Sequence, residues 1–151
     1  MAKRYDRDYF ERWYRDPATR VADPAELKRK IAMVVSLAEY FLGRPLARIL
    51  DVGCGEGSWR APLLRLRPDA FYLGLDPSAW AVQRFGRKRN IHRMAFGQLA
   101  GQRFDAPFDL ILCANVLPYL EAAEIRAGLS GFAELLDGMA FLETWVRGDQ
   151  V

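Results

Sequence analysis

Short apolar runs alternate with helical segments along most of this chain. That predicts a three-layer α/β fold, a mostly parallel sheet of about five strands with helices on both faces and more helices at the N-terminus. Three observations carry the prediction. A run ending Ile49-Leu50-Asp51 is followed by Gly53, Gly55 and Gly57, a strand turning into a helix through flexible backbone. A second run, 70–75, also ends in an acid, Asp76. A third, 108–114, is nearly all apolar, as strands buried on both faces are.

The 151 residues form one domain, with 1–44 as a helical cap and 45–151 as a ligand-binding core. Hydrophobic residues make up 51% and charged residues 27%, a globular balance. The charged start lacks the apolar stretch of a signal peptide, and no run approaches the ~20 apolar residues of a membrane span. Two cysteines, Cys54 and Cys113, are too few for a secreted disulfide scaffold and are expected as reduced thiols. The expected setting is the cytoplasm, away from membranes. The net charge of +3 permits an acidic partner without requiring one.

In chain order, Tyr9, Phe10, Trp13 and Tyr14 recur at helical spacing, so residues 1–22 should hold an amphipathic helix with one aromatic face. Such a face either packs on the core or forms a lid that excludes water from a small-molecule site. Asp23-Pro24-Ala25-Glu26 starts a helix with a cap, a proline in the first turn and a capping-box acid. Leu27, Ile31, Val34, Ala38 and Phe41 form its expected buried stripe, and Gly43 and Pro45 end it. After the glycine loop a helix is expected over about 59–66, because Pro62 fits only the first turn. Helices are then expected over about 79–88 and 121–136, and strands over 90–96, 108–114 and 139–146.

In a parallel sheet with right-handed crossovers, ligands sit at the carboxyl ends of the strands, near the reversal of strand order. Asp51, Asp76, Gln98 and residues 113–115 fall there and should line one crevice. Asp76 is placed to accept from two vicinal ribose hydroxyls, or else caps the following helix. A dinucleotide loop needs Gly-x-Gly-x-x-Gly, whereas Ser58 stands where its last glycine would be. Asp51 and Glu56 add negative charge that disfavours pyrophosphate and suits a cationic amino group.

Four stretches in this order resemble motifs of the class I S-adenosylmethionine-dependent methyltransferases: 49–57 (Ile-Leu-Asp-Val-Gly-Cys-Gly-Glu-Gly), 74–78 (Gly-Leu-Asp-Pro-Ser), 108–120 and 135–143. The resemblance implies a Rossmann-like sheet of order 3-2-1-4-5, and methyl transfer from S-adenosyl-L-methionine to leave S-adenosyl-L-homocysteine. By position, Gly53, Cys54, Gly55 and Gly57 would cradle the methionine portion and Asp51 would reach its amino group. Asp76 would hold the ribose, while Pro77 or Trp80 would pack on adenine. Gln98 and the adjacent Leu99 would meet the adenine edge, and Cys113, Ala114 and Asn115 would lie beneath the sulfonium. Tyr9, Trp13, Tyr14 and Tyr119 are candidates for a lid or acceptor pocket, and a small-molecule acceptor is expected.

Two departures from the family pattern stand out. Pro118 and Tyr119 follow strand four where many relatives carry a histidine, and the one histidine, His92, lies inside strand three. No residue is therefore assigned as a catalytic base. The antiparallel strands that usually follow strand five have no counterpart in 147–151, so the chain reads as a fragment, or its fifth strand pairs with a partner such as a second copy. A non-catalytic binding module and a nicotinamide-dinucleotide domain are the alternatives. Arg84, Arg87, Lys88, Arg89 and Arg93 form either a nucleic-acid contact or the ordinary basic end of a helix. No metal-ligand spacing occurs.

Overall fold

The computed structural model describes residues 4–20 and 23–145. Its elements are α1 (Arg7–Phe10) continuing as a π-helical turn (Glu11–Arg15), α2 (Pro24–Leu42), β1 (Arg48–Val52), α3 (Arg60–Leu66) and β2 (Phe71–Asp76). Then come α4 (Ala79–Arg89), β3 (Ile91–Arg93), a 3-10 turn (Phe96–Leu99), β4 (Phe108–Ala114), a second 3-10 turn (Leu117–Tyr119), α5 (Ala122–Leu135) and β5 (Leu136–Glu143). The five strands form one parallel sheet in the order β3-β2-β1-β4-β5, as expected.

Side-chain alternation along the strands splits the interior into two layers. Ile49, Tyr72, Leu110 and Leu112 pack with Ile31, Val34, Val35 and Ala38 of α2 and Leu63 of α3. Leu50, Leu73, Ile111 and Cys113 face the other way, onto Phe96, Leu99 and the α5 residues Phe132 and Leu135. Each fully buried large aliphatic here contributes roughly 1.5–3 kcal/mol.

The Asp23 carboxylate accepts from the amides of Ala25 (3.0 Å) and Glu26 (3.1 Å), and Gly43 closes α2 in the left-handed conformation. The buried stripe of α2 departs from expectation at its end. Phe41 is 68% exposed, because four residues beyond Ala38 it is Leu42 that returns to the core.

Two boundaries also move. β3 stops at Arg93, because Met94 to Phe96 turn away into a 3-10 turn whose Ala95 amide donates to the Gln98 side chain (2.7 Å). α5 runs directly into β5, which begins at Leu136, three residues before the expected start. A β-carbon at Gly138 would collide with the Asp109 carbonyl, so glycine is what lets β5 approach the irregular start of β4. The last residue of the expected fifth strand, Val146, lies outside the described residues, as do 1–3, 21–22 and 147–151. Among the described residues, no helix is long and apolar enough to cross a membrane.

The amino ends of the central strands are tied by Asp109. It accepts two hydrogen bonds from the Arg44 guanidinium (3.1 and 2.7 Å) and one each from the amides of Ala47 (2.7 Å) and Arg48 (3.0 Å). Burial alone would raise its pKa, but the Arg44 pair and the two amides outweigh burial and hold the carboxyl below the usual range. This residue, part of the fourth-strand motif, belongs to the scaffold.

Candidate functional site

At the opposite end of the sheet β1 gives way to a loop in which Gly53 and Gly55 have φ of 70° and 56°. Only glycine adopts this backbone without strain. Space forbids side chains as well: a β-carbon at Gly53 would meet Val116, and one at Gly55 would run into the Tyr14 hydroxyl. The loop is held from β2. Asp76 Oδ2 accepts from the Gly55 amide (2.8 Å) and Oδ1 from the Ser78 amide (2.8 Å), while the Gly53 amide donates to the Leu75 carbonyl (2.7 Å). Asp76 thus organises the turn into α4, whose first amide-capping side chain is Ser78, and it also lines a cavity. Burial raises its pKa against these two amide bonds.

Asp51 is 3% exposed and has one side-chain partner among the described residues, the Tyr72 hydroxyl, which donates to Oδ2 at 2.7 Å. Burial pushes its carboxyl up to about 7, the Tyr72 bond opposing and the nearby Asp76 charge assisting. Glu56 differs. It is buried, but Arg15 reaches it at 2.8 Å, so its charge is spent on the N-terminal segment. The acidic surround expected of the loop therefore narrows to Asp51 and Asp76.

The N-terminal aromatics lie over the loop. Phe10 is buried and stacks on Trp80 (4.8 Å, 18°), which diverts Trp80 from its expected adenine contact. Tyr14 packs against Phe10 with its hydroxyl at the glycine loop. Arg15–Glu56 and a hydrogen bond from the Ser78 hydroxyl to the Tyr5 carbonyl (2.7 Å) fix the segment at both ends. Within this stripe Phe10 is buried, whereas Tyr9, Trp13 and Tyr14 also line the cavities beside the loop. Burial holds the Tyr14 phenol well above its usual pKa, so it stays protonated and able to donate.

Two cavities flank Tyr14. One, of about 400 Å³, is bounded by Asp76, Pro77, Met94, Ala95 and Phe96 below and by Tyr5, Tyr9, Phe10 and Tyr119 above. The other, of about 350 Å³, reaches Asp51, Cys54, Ser58 and Trp59 below and Trp13, Arg20, Lys28, Lys30, Arg65 and Glu143 around its rim. Both share Tyr14, Gly53, Ala114 and Asn115. Asn115 holds a positive φ of 57° at the end of β4, a strained position fixed by its amide bond to the Glu143 carbonyl (2.7 Å).

Asp51, Gly53, Cys54, Gly55, Asp76, Pro77, Ala114 and Asn115 thus gather around the crevice, with Tyr9, Trp13, Tyr14 and Tyr119 above it. Four residues expected there lie elsewhere. Cys113 is fully buried on the α5 face, because strand alternation turns it away where Ala114 turns in. Leu99 is core on that same face, and Gln98 is spent capping its own turn. Gly57 packs beside Ile91 and Tyr72, outside both cavities.

The residues missed are Tyr5, the turn at Met94 to Phe96, and the cations of the second cavity. A sequence signal existed for Lys28 and Lys30. A short link from α2 to β1 makes the helix antiparallel to the strand, so its first turns sit over the strand's carboxyl end. Several of the basic residues after β2 are engaged: Arg89 lies over Phe85 (4.2 Å) and donates to the Glu56 carbonyl, while Arg93 donates to the Pro77 carbonyl. Cys54 and Cys113 are free thiols. His92 is exposed on β3 beside Asn90 (3.1 Å), away from the crevice.

A family model described as a methyltransferase domain matches residues 50–140, the span from β1 into β5. The chain belongs to that family. It is a member of the class I S-adenosylmethionine-dependent methyltransferases, as its four motifs implied. Among curated proteins it is similar to a trans-aconitate 2-methyltransferase of Deinococcus radiodurans, 35% identical over 77 residues, which are 51% of this chain and 30% of that protein. Among solved structures it resembles the sugar N-methyltransferase KedS8 from a Streptoalloteichus species, with 21% identity, a TM-score of 0.68, and coverage of 100% of this chain and 57% of that one. It also resembles CalS10, an amino pentose methyltransferase from Micromonospora echinaspora solved with S-adenosylmethionine bound. That likeness has 23% identity, a TM-score of 0.64, and coverage of 83% of this chain and 53% of that one. The chain therefore spans about a third to just over half the length of these methyltransferases, and the structural likenesses establish the fold.

Proposed function

We propose that this chain binds S-adenosyl-L-methionine across the glycine loop and transfers its methyl group to a small-molecule acceptor, leaving S-adenosyl-L-homocysteine. The observation that carries the reading is the placement of two buried carboxylates on either side of Gly53 and Gly55, neither bonded to a cationic side chain among the described residues. An acid near neutrality in its resting state, as Asp51 is, becomes a full carboxylate once an ammonium group arrives beside it. Asp76 keeps lone pairs for two ribose hydroxyls while still holding the Gly55 amide. The absence of side chains at Gly53 and Gly55 lets Val116 and the Tyr14 hydroxyl close on the loop beside these two acids.

When bound, the cofactor supplies an activated methyl group on sulfur, so the protein's task is to position the acceptor and exclude water. Tyr5, Tyr9, Trp13, Tyr14 and Tyr119 roof the crevice, and the Arg15–Glu56 pair holds that roof against the loop. The curated and solved relatives act on trans-aconitate, a sugar and an amino pentose, which supports a small acceptor here. Two buried free thiols suit a reducing cytoplasm.

Thermal shift with S-adenosylmethionine, S-adenosylhomocysteine and NAD tests the reading. Stabilisation by the first two is expected, by several degrees at a hundredfold excess over Kd. Stabilisation by NAD alone would overturn it. Stabilisation by S-adenosylhomocysteine without methyl transfer to any acceptor would leave a binding module.

A further inference from the structure

The second cavity carries a charge pattern that cofactor binding does not use up. Its rim bears four cations, Arg20, Lys28, Lys30 and Arg65, from the segment before α2, the first turns of α2, and α3. Two acids share the lining: Asp51 at its floor and Glu143 at the end of β5. Lys30 pairs with Glu143 at 2.7 Å, and Arg20 with Asp23 at 3.1 Å. Lys28 and Arg65 make no ion pair among the described residues. Asp51, buried and close to neutrality, offsets little of this positive charge.

S-adenosylmethionine leaves this surplus in place. Its ammonium, sulfonium and carboxylate sum to one positive charge. That charge is offset by Asp51, which ionises beside the ammonium. The remaining cations and the sulfonium then face whatever occupies the rest of the cavity. Like charges concentrated in a cleft with apolar walls, here Trp13, Leu27, Trp59 and Pro62, focus a field that draws in an anion. The floor of this cavity, Gly53, Ala114 and Asn115, is shared with the first, so an anion held here lies beside the transferable methyl group.

Resting on the reading above, we propose that the acceptor is a small polycarboxylic acid, one carboxylate being methylated while another is anchored by Lys28 and Arg65. In the reaction a lone pair of the carboxylate oxygen forms the new bond to the methyl carbon. The methyl–sulfur bond breaks with its electron pair going to sulfur. The products are a neutral methyl ester and an uncharged thioether, and no proton is released. The step therefore needs no base, in keeping with His92 standing apart on β3. An amine or ammonium acceptor would enter against the rim's charge and leave a proton to be removed.

The test begins with S-adenosylhomocysteine-saturated protein, titrated by calorimetry with succinate, glutarate and citrate, and with an amino sugar of similar size. Turnover with S-adenosylmethionine is then followed by mass spectrometry for the methyl ester. Binding and esterification of at least one acid are expected, along with a rise in its KM of about tenfold in Lys28→Gln and in Arg65→Gln, with a smaller change in kcat. Methylation of the amino sugar with no binding of any acid would overturn this proposal and leave the methyltransferase reading standing. Failure to bind S-adenosylhomocysteine at all would overturn that reading instead. Acid binding that Lys28→Glu leaves unchanged would also count against the proposal.

Discussion

Asp109 and Asp51 are buried carboxylates on adjacent strands, and they mark opposite ends of the sheet. Asp109, at the amino end of β4, is saturated: one arginine and two backbone amides hold it ionised. Asp51, at the carboxyl end of β1, has a tyrosine hydroxyl and burial, which leave it near neutrality. The same side chain at similar depth is a brace in one place and an unfinished site in the other. Whether a cation faces it in the folded chain separates the two.

Substitution of the brace should have the largest effect. Asp109→Ala leaves the Ala47 and Arg48 amides without their acceptor and removes the pair with the exposed Arg44. A loss of roughly 4 kcal/mol in urea unfolding is expected. A loss below about 1 kcal/mol would erase the distinction between the two ends.

Asp51 should behave oppositely. Its folded pKa, about 7, lies above the unfolded value, so the folded protein holds a proton that the unfolded chain releases from about pH 4 upward. Stability from this group is complete below the unfolded pKa, and is lost as pH rises through about 7. Asp51→Asn removes that slope. The variant should equal or exceed the native chain in stability at pH 8, by up to about 2–3 kcal/mol, while losing affinity for S-adenosylhomocysteine. Unfolding curves at pH 5 and pH 8 read the sign directly, and a native protein more stable at pH 8 on this account would contradict it.

The smallest effect on stability is expected at the roof. Arg15→Ala removes a pair whose arginine is partly exposed but leaves the buried Glu56 carboxylate unpaired, so the melting temperature should fall by a few degrees at most. S-adenosylhomocysteine should still dissociate several-fold faster if the segment closes the crevice. An unchanged dissociation rate in stopped-flow would make the aromatic stripe core packing and nothing else.

The parts of the site visible in the sequence were those where pattern and function coincide locally. A glycine at a left-handed turn, an acid ending a strand and a proline opening a helix each state their own geometry, so Gly53, Gly55, Asp51, Asp76 and Pro77 were found where expected. Errors arose where one residue of register decides the face. Cys113 and Ala114 are neighbours in an apolar run, and only the pleat sends the first into the α5 layer and the second into the crevice. Gln98 and Leu99 were misplaced because β3 ends after three residues, a truncation that apolar periodicity does not announce.

The sequence alone determined the alternation of strands and helices, and with it the parallel sheet and the crevice at its carboxyl ends, because hydrophobic period and turn chemistry act over a few residues. The tertiary structure decided which charges remain unspent. Glu56 met Arg15 from 41 residues away, Asp109 met Arg44 across 65, and Lys28 and Arg65 were left at a cavity rim without a partner among the described residues. Pairing over such distances depends on how the layers pack, and no local pattern encodes it.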